Sequence, residues 1–145
     1  MRLAILTVLY DADAYSDVVR EAQEIAELAL KGILRQVGVE PPHWHDVGGL
    51  LREHASRVPS ISAAELDRLA VTSAWLRKER EFSFYGDIDF IPTEQYDATV
   101  AMRAIEGARE CVAAATRVIV VSIAGHISHE RRGRPRAPSR AAAGR

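Results

Sequence analysis

Cysteine is nearly absent from this chain of 145 residues, because Cys111 is the only one. A single thiol excludes an intramolecular disulfide and suits the reducing cytoplasm, which is the location we expect. Long hydrophobic runs are scarce as well. The apolar run of residues 3–9 is soon followed by Asp11 and Asp13, and we expect no stretch that reaches the ~20 residues of a membrane span. The sequence therefore predicts one soluble domain and no membrane partner.

Acidic side chains are missing from the end of the chain. Residues 131–145 contain six arginines and no Asp or Glu, which leaves 13 basic against 20 acidic side chains in residues 1–130, a net charge of −7. The Arg, Pro, Ser, Ala and Gly composition of the tail cannot bury enough apolar area to fold. We expect residues 1–124 to form the domain and residues 125–145 to be a disordered tail. A solvated extension is the simpler interpretation of this tail, and contact with nucleic acid is the alternative.

Apolar residues recur at steps of three and four along most of the domain, which is the spacing of amphipathic helices. Residues 3–10 predict a short first helix, and residues 16–37 predict a long one with Ser16 as its N-cap and Gly38 as its stop. Residues 41 and 42 are both proline and favour an extended connection. A short helix is expected to follow.

That short helix begins near His45 and Asp46, one of which caps its amides, and Pro59 ends it. Ser62 and Glu65 then form a capping box that opens a further helix. The inner stripe of this helix is predicted to be Leu66, Leu69, Ala70, Ser73 and Leu76.

Thr93, which follows Pro92, is the predicted N-cap of the last and longest helix. Its apolar positions are Ala101, Ala104, Ile105, Ala108, Cys111, Val112, Ala115, Val118 and Ile119. The β-branched residues 118–121 would also suit a strand, but the preceding period favours a helix end. Together these patterns predict an all-α fold, an up-and-down bundle of four to five helices.

The segment 76–92 combines cationic and aromatic side chains, and we consider it the strongest candidate site. Arg77 and Arg80 continue the stripe of the preceding helix, and two of the three Phe and one of the four Tyr lie within residues 82–85. Guanidinium groups suit phosphates and aromatic rings suit bases. The candidate residues for binding a nucleotide or anion are Arg77, Lys78, Arg80 and Tyr85. The alternative is that Glu79 and Glu81 neutralise these cations in ion pairs.

Several motifs, taken in order, resemble the HEPN domain family over roughly residues 15–118. The motifs are Ala22-Gln23-Glu24, Glu27-Leu28-Ala29-Leu30-Lys31, Pro41-Pro42, His45-Asp46-Val47-Gly48, Leu76-Arg77-Lys78-Glu79-Arg80-Glu81, Phe84-Tyr85-Gly86-Asp87 and Pro92-Thr93-Glu94. His45, Asp46, Gly86 and Asp87 are the structural marks of the resemblance. It implies an up-and-down helical bundle that forms homodimers. It also implies a minimal nucleotidyltransferase as partner, in a toxin–antitoxin or nucleotide-sensing pair.

Members of this family that cleave RNA are expected to do so without metal, through an Arg followed by four to six residues and a His. This sequence departs from that motif, because after Arg80 no His occurs before His126, and Tyr85 follows Arg80 after four intervening residues. A phenol with a pKa of about 10 is a poor general base at neutral pH. The first helix is also shorter than the family's, which would fit a truncated N-terminus.

Metal binding is the less favoured interpretation of the acidic and histidine motifs. Asp87 and Asp89 resemble paired carboxylates, but turn formation explains them better. His43 and His45 would need further convergent ligands to bind zinc, and capping or packing explains them better. We expect no metal and no cofactor.

Three hypotheses follow. The first is a dimeric, non-catalytic or weakly catalytic partner of a minimal nucleotidyltransferase that binds nucleotide or RNA. The second is an active ribonuclease toxin that uses Arg80 and Tyr85. The third is a purely structural oligomerisation module.

Overall fold

The computed structural model describes residues 2–41, 43, 46–85 and 96–132, with the side chains of all of them except 82–85 and 129–132. Within these residues the chain forms five α-helices and no strand. They are α1 (Leu3–Asp11), α2 (Tyr15–Gln36), α3 (Val47–Glu53), α4 (Ala63–Tyr85) and α5 (Ala98–Arg132), and a 3-10 turn, Ala55–Arg57, follows α3. The prediction of an all-α fold with four to five helices is confirmed.

The four longer helices alternate in direction. The rings of Tyr10 and Tyr15 lie 5.5 Å apart between centroids, so α1 ends where α2 begins. At the other end of α2, Gln36 donates a hydrogen bond of 2.8 Å to Ser122 of α5, and Arg117 of α5 pairs with Glu65 at the start of α4. α2 and α5 therefore run in the same direction, and α1 and α4 run against them, which is the predicted up-and-down arrangement.

The most extensive helix contact in the core is between α2 and α5, where large and small side chains face each other. α2 contributes fully buried aliphatic side chains, and α5 contributes mostly alanine and Cys111. Small residues on one helix let the larger ones of the other pack closely, as expected for an interior filled to crystal-like density. The largest buried side chains of the two helices are Val18, Val19, Leu30, Ile33, Leu34 and Cys111.

The boundaries of α2 show one wrong prediction and one confirmed one. Ser16 is not the N-cap, because the helix begins at Tyr15 after a tight connection in which Asp13 has a φ of 56° and the amide of Ala14 donates to the carbonyl of Leu9. The short connection leaves no room for a later start. Gly38, with a φ of 81°, lies directly beyond the helix as predicted, in the left-handed region that glycine adopts without strain.

The predicted caps of α3 and α4 are present. Asp46 Oδ1 accepts a hydrogen bond of 3.1 Å from the amide of Gly48, and Ser62 Oγ accepts one of 3.2 Å from the amide of Glu65. The carboxylate of Glu65 accepts from Arg117, so it joins α4 to α5. The predicted stripe of α4 is confirmed for Leu66, Leu69, Ala70 and Leu76, which are buried, while Ser73 is half-buried.

The last helix is longer than expected. Asp97 Oδ1 accepts from the amide of Val100 at 2.9 Å and so caps the described start, whereas the predicted cap Thr93 lies outside the described residues. Residues 118–121 are helical, which excludes the strand alternative. The helix continues to Arg132, eight residues beyond position 124, and the division into a domain and a tail stays a prediction. Residues 133–145 lie outside the described residues.

One part of α5 corrects the expectation that no apolar stretch reaches the length of a membrane span. The stretch Ala98–Ser128, with a mean hydropathy of 1.6 in its most apolar window, is long and apolar enough to cross a membrane by length and composition. Only 22% of that window is buried inside the protein. The apolar residues that give this window its high mean hydropathy are interspersed with polar ones, so the sequence shows no single uninterrupted apolar run.

Candidate functional site

A polar cleft of about 240 Å³ lies between α2 and α4, and we name it the α2–α4 cleft. It is lined by Gln23, Glu27, His43, Arg77, Arg80 and Glu81. Two guanidinium groups, an imidazole and two carboxylates therefore surround a volume that suits a small polar group. The sequence-predicted cations Arg77 and Arg80 are brought together here.

The position of Arg77 and Arg80 follows from the helical period of α4. Leu69, Ala70 and Leu76 are buried against the bundle, and further steps of three and four along the same helix reach these two arginines. Both are half-buried, so their stems pack along the helix surface while their heads reach the cleft. The helical period predicted that both arginines lie on the inward or interface side of α4, and both line the α2–α4 cleft.

Gln23 connects the two walls of the cleft. It is 5% exposed, and its Oε1 accepts a hydrogen bond of 2.6 Å from Arg80 Nη1 while its Nε2 donates one of 2.7 Å to Glu27. Arg80 Nη2 also lies 3.8 Å from Glu24 Oε1. A buried amide must have its donor and acceptor satisfied, so Gln23 holds the guanidinium of Arg80 in one orientation.

Glu27 belongs to the same network. Burial on its own would raise the pKa of Glu27, but hydrogen bonds from Lys31, whose Nζ lies 2.6 Å from Glu27 Oε1, and from Gln23 outweigh it. The nearby charge of Arg77 acts in the same direction. The pKa of Glu27 is therefore lowered below its ordinary value of 4.5, and the carboxylate stays charged at neutral pH.

We expect this network to make stability dependent on pH in the acidic range. Because the pKa of Glu27 is lower in the folded chain than the ordinary value of 4.5, its contribution is fully present above pH 4.5 and is lost as the pH falls through the folded pKa. The free energy of unfolding of the wild type and of Glu27→Gln is measured by chemical denaturation between about pH 3 and 7, a range that spans ordinary carboxyl pKa values. The variant should lose less stability than the wild type on acidification. Parallel curves would contradict the prediction, and Glu53→Gln, an exposed carboxyl in α3, is the control.

The end of α4 that carries the arginines is anchored by Tyr96, two residues before α5 begins. Tyr96 is buried, and its hydroxyl donates a hydrogen bond of 2.7 Å to the backbone carbonyl of Glu79. Burial and the neighbouring Glu79 raise the pKa of Tyr96 to about 12, so the hydroxyl remains a donor at any physiological pH. The contact fixes the turn of α4 that lies between Arg77 and Arg80.

The other predicted site residues do not join the described cleft. Lys78 is exposed on α4, one position round the helix from Arg77, and it is not among the described lining residues. Asp46 caps α3. Tyr85 ends α4, but its side chain lies outside the described residues, as do His45, Gly86, Asp87 and Asp89, so the predictions for them stay predictions.

Glu81 lines the cleft, and the described partners of Arg80 come from α2.

Two residues of the cleft were missed in the sequence. Gln23 follows Val19 by four positions and lies in the buried stripe of α2, so a polar residue at an apolar position was the available signal. His43 carried no such signal. It follows two prolines in an irregular connection, where spacing does not reveal which element a side chain will approach.

Metal ligation finds no support in the described part of the chain, since no group of three or more His, Cys, Asp or Glu side chains there is arranged to hold an ion. The chemistry available to the described cleft is hydrogen bonding and charge. Arginine forks and an imidazole can bind an oxyanion, and an imidazole can also transfer a proton.

The fold and the cleft define a small all-α domain with a polar site between two of its helices. Comparison with protein families matches residues 2–121 to the HEPN domain, and the chain belongs to the HEPN domain family. Neither the curated proteins nor the solved structures contain a significant match.

Proposed function

We propose that this HEPN-family protein is the dimeric partner of a minimal nucleotidyltransferase, in a toxin–antitoxin or nucleotide-sensing pair, and that its α2–α4 cleft binds a phosphate group of a nucleotide or RNA. The observation that carries the binding part is that Arg77 and Arg80 of α4 line one cleft together with His43, which is distant from them in sequence. Family membership supports the pairing with a nucleotidyltransferase.

The contacts of Arg80 suit an exchangeable anion site. Its ion pair with Glu24 is 3.8 Å long, which is beyond hydrogen-bond distance, whereas Gln23 holds its other nitrogen at 2.6 Å. Among its described contacts, the guanidinium has the neutral amide of Gln23 at hydrogen-bond distance and the carboxylate of Glu24 farther away. A phosphate oxygen at 2.7–2.9 Å, which is the usual length of a charge-assisted hydrogen bond, would bind more strongly than Glu24 does.

The two carboxylates of the cleft, Glu27 and Glu81, oppose the binding of an anion to different degrees. Glu27 is already bonded to Lys31 and Gln23 on its own wall, so part of its charge is compensated there. Glu81 is exposed. A single phosphate group fits the balance of two arginines and an imidazole better than a long polyanion does, because two carboxylates border the same volume.

The binding part is tested by titrating fluorescently labelled nucleoside triphosphates and short single-stranded RNA into the purified protein at several salt concentrations. We expect Arg77→Ala and Arg80→Ala each to weaken binding by about tenfold or more, the effect of losing one charged hydrogen bond. The slope of log affinity against log salt should fall by about one for each arginine removed. Arg80→Lys should recover only part of the loss, since it keeps the charge but not the fork.

Arg109→Ala is the matched control, because Arg109 is exposed on α5 and is not among the described cleft residues. It removes the same charge and should leave the affinity nearly unchanged. Equal affinities of the Arg80→Ala and Arg109→Ala variants, or binding that does not respond to salt, would refute the cleft as the binding site. Absence of any ligand binding and of any copurifying protein would instead favour the purely structural oligomerisation module.

The partner is tested independently of the cleft. The reading frame beside this gene should encode a small nucleotidyltransferase with a Gly-Ser turn and paired aspartates. Coexpression of the two should yield a complex that copurifies at a fixed ratio. A neighbouring frame of another kind, together with no complex, would refute this part alone.

The position of His43 favours a second candidate function, metal-independent cleavage of RNA. The sequence offered only Tyr85 as the partner of Arg80, but folding places His43 on the same cleft as Arg77 and Arg80. In such a reaction the 2′-hydroxyl attacks the adjacent phosphorus, a 2′,3′-cyclic phosphate forms and the 5′-oxygen leaves. His43 would take the proton of the 2′-hydroxyl, water would protonate the leaving oxygen, and an arginine would stabilise the charge on phosphorus.

Incubation of the protein with total RNA, with and without chelator, distinguishes this candidate from binding alone. Cleavage that resists the chelator and is abolished by both His43→Ala and Arg80→Ala would establish it. His126→Ala, which changes an exposed imidazole far along α5, is the control. Cleavage retained by His43→Ala but lost on Tyr85→Phe would support the pair Arg80 and Tyr85 instead.

A further inference from the structure

The short first helix covers only part of the groove between α2 and α5. α1 has nine residues, a length of about 13 Å, and it packs on both helices. Beyond Arg2 the same groove continues, not covered by any described residue, with a volume of about 290 Å³, and we name this part the α2–α5 groove. Its apolar lining is Ile25, Leu28, Ala29, Val112, Ala115 and Ile119.

The groove leads into the projecting end of α5. The hydrogen bond from Gln36 to Ser122 marks where α2 ends beside α5, and the ten residues after Ser122 extend the helix by about 15 Å. All of residues 119–128 are exposed, and none of them is Asp, Glu, Lys or Arg. Residues 119–128 are therefore an uncharged stretch of helix that the described parts of its own chain do not bury.

The exposed apolar side chains form one stripe with the groove. Val112, Ile119, Ile123 and Ile127 follow one another at steps of seven, four and four, so they lie on one face of α5. Ile119, Ile123 and Ile127 are 39%, 54% and 49% exposed. Leu28, which is 53% exposed, lines the groove beside Ile119. Contiguous exposed apolar side chains of this kind often mark an interaction site.

We propose that the projecting end of α5 lies in the α2–α5 groove of a second copy of this chain, in an antiparallel and reciprocal arrangement. The inference rests on the homodimer of the proposed function and names its surface. With a two-fold axis near residue 121, Ile123 of one copy lies opposite Ile119 of the other, and Ile127 lies opposite Ala115. The small side chain of Ala115 leaves space that an isoleucine fills.

Self-complementarity is the argument for a second copy as the occupant. One chain carries both an apolar groove and an exposed apolar stripe that continues from it, and a two-fold interface buries both at once. A membrane is less suitable, because the part of the apolar stretch Ala98–Ser128 in which every residue is exposed, residues 119–128, extends only about 15 Å, half of the ~30 Å hydrocarbon core, and lipid would not fill the groove beside Leu28.

The test is the mass of the full chain in solution, measured by sedimentation velocity as a function of concentration. We expect the wild type to be dimeric at micromolar concentration. Ile123→Glu and Ile127→Glu should each weaken dimerisation by at least about 100-fold, since every dimer contains the change twice in an apolar contact. Both residues are half-exposed in the single copy, so circular dichroism should show an unchanged helix content.

Val71→Glu is the matched control, because Val71 is 56% exposed on α4 and is not among the described residues that line the groove. It should leave the dimer intact. A double variant, Leu28→Cys with Ile127→Cys, should form a covalent dimer under mild oxidation, and neither single variant should do so efficiently. Cys111 can remain in place, because it is buried.

The possible results of these experiments distinguish the proposed dimer surface from the proposed homodimer and from membrane binding. A dimer that survives both Glu changes and does not crosslink would overturn this surface and leave the proposed homodimer standing. A wild-type monomer throughout the concentration range would overturn the homodimer and the surface together, while the phosphate-binding cleft would be unaffected. A monomer that binds phosphatidylglycerol vesicles through Ile123 and Ile127 would overturn the proposal in favour of a membrane. Dimer loss in both Glu variants with efficient crosslinking of the double variant would support it.

Discussion

Leu76→Ala is expected to lower the free energy of unfolding by about 2–5 kcal/mol, the range for deletion of a buried leucine side chain. Leu76 is fully buried and is the last core residue of α4 before Arg77. The cost combines the lost transfer of its methyl groups from water with the cavity that remains, because a closely packed interior relaxes only in part. Chemical denaturation followed by circular dichroism measures it, and the melting temperature should fall by about 5–15 °C.

Val71→Ala on the same helix is the control for this prediction. Val71 is 56% exposed, so its truncation should change the free energy of unfolding by no more than about 0.5 kcal/mol. A loss below 1 kcal/mol for Leu76→Ala, on the same order-of-magnitude scale, would mean that the end of α4 is loosely packed. In that case the core would not hold Arg77 and Arg80 in the cleft as rigidly as their partners suggest.

Gly48→Ala is expected to cost about 1–3 kcal/mol, which is typical of adding a methyl group where there is no room. A Cβ atom at Gly48 would lie 2.7 Å from the Cα of Ala70 and 3.1 Å from its carbonyl oxygen. Both are backbone atoms, so the clash is relieved only if α3 moves away from α4. Because the connection that carries His43 leads into α3, such a movement should also disturb the wall of the α2–α4 cleft.

Gly32→Ala is the control, with the opposite expected effect on the free energy of unfolding. A Cβ at Gly32 would have no atom within 4 Å, and the residue lies inside α2, so alanine should raise the free energy of unfolding by about 0.5–1 kcal/mol. The two substitutions make the same chemical change with opposite expected signs. If both stabilised the protein, the close approach of α3 to α4 would be refuted.

The elements that the sequence predicted well are those specified by neighbouring residues. The long second helix, the stripe of α4 and the caps by Asp46 and Ser62 all depend on contacts within about one helical turn, so spacing reveals them. The one wrong cap, Ser16, failed because a tight turn at Asp13 started the helix earlier. That turn is tertiary in origin, since it brings α1 against α2.

The candidate site was predicted in part. Arg77 and Arg80 could be placed inward because they continue an apolar stripe, and this is local information. Their partners could not be foreseen, because Gln23 is 57 positions away from Arg80, and His43 lies in a connection without periodicity. The family resemblance identified the segment but did not show what it contacts.

The amino-acid sequence by itself determined that this protein is an all-α bundle in which Arg77 and Arg80 continue the inner stripe of α4. Helix period, caps and breakers act between neighbours along the chain, and they are legible without the fold. Only the tertiary structure decided that Gln23, Glu24 and His43 surround Arg80, and that α1 is too short to cover the groove beside Ile119. Those features depend on how long helices align against one another, and that alignment is set by the packing of the whole core rather than by any one segment.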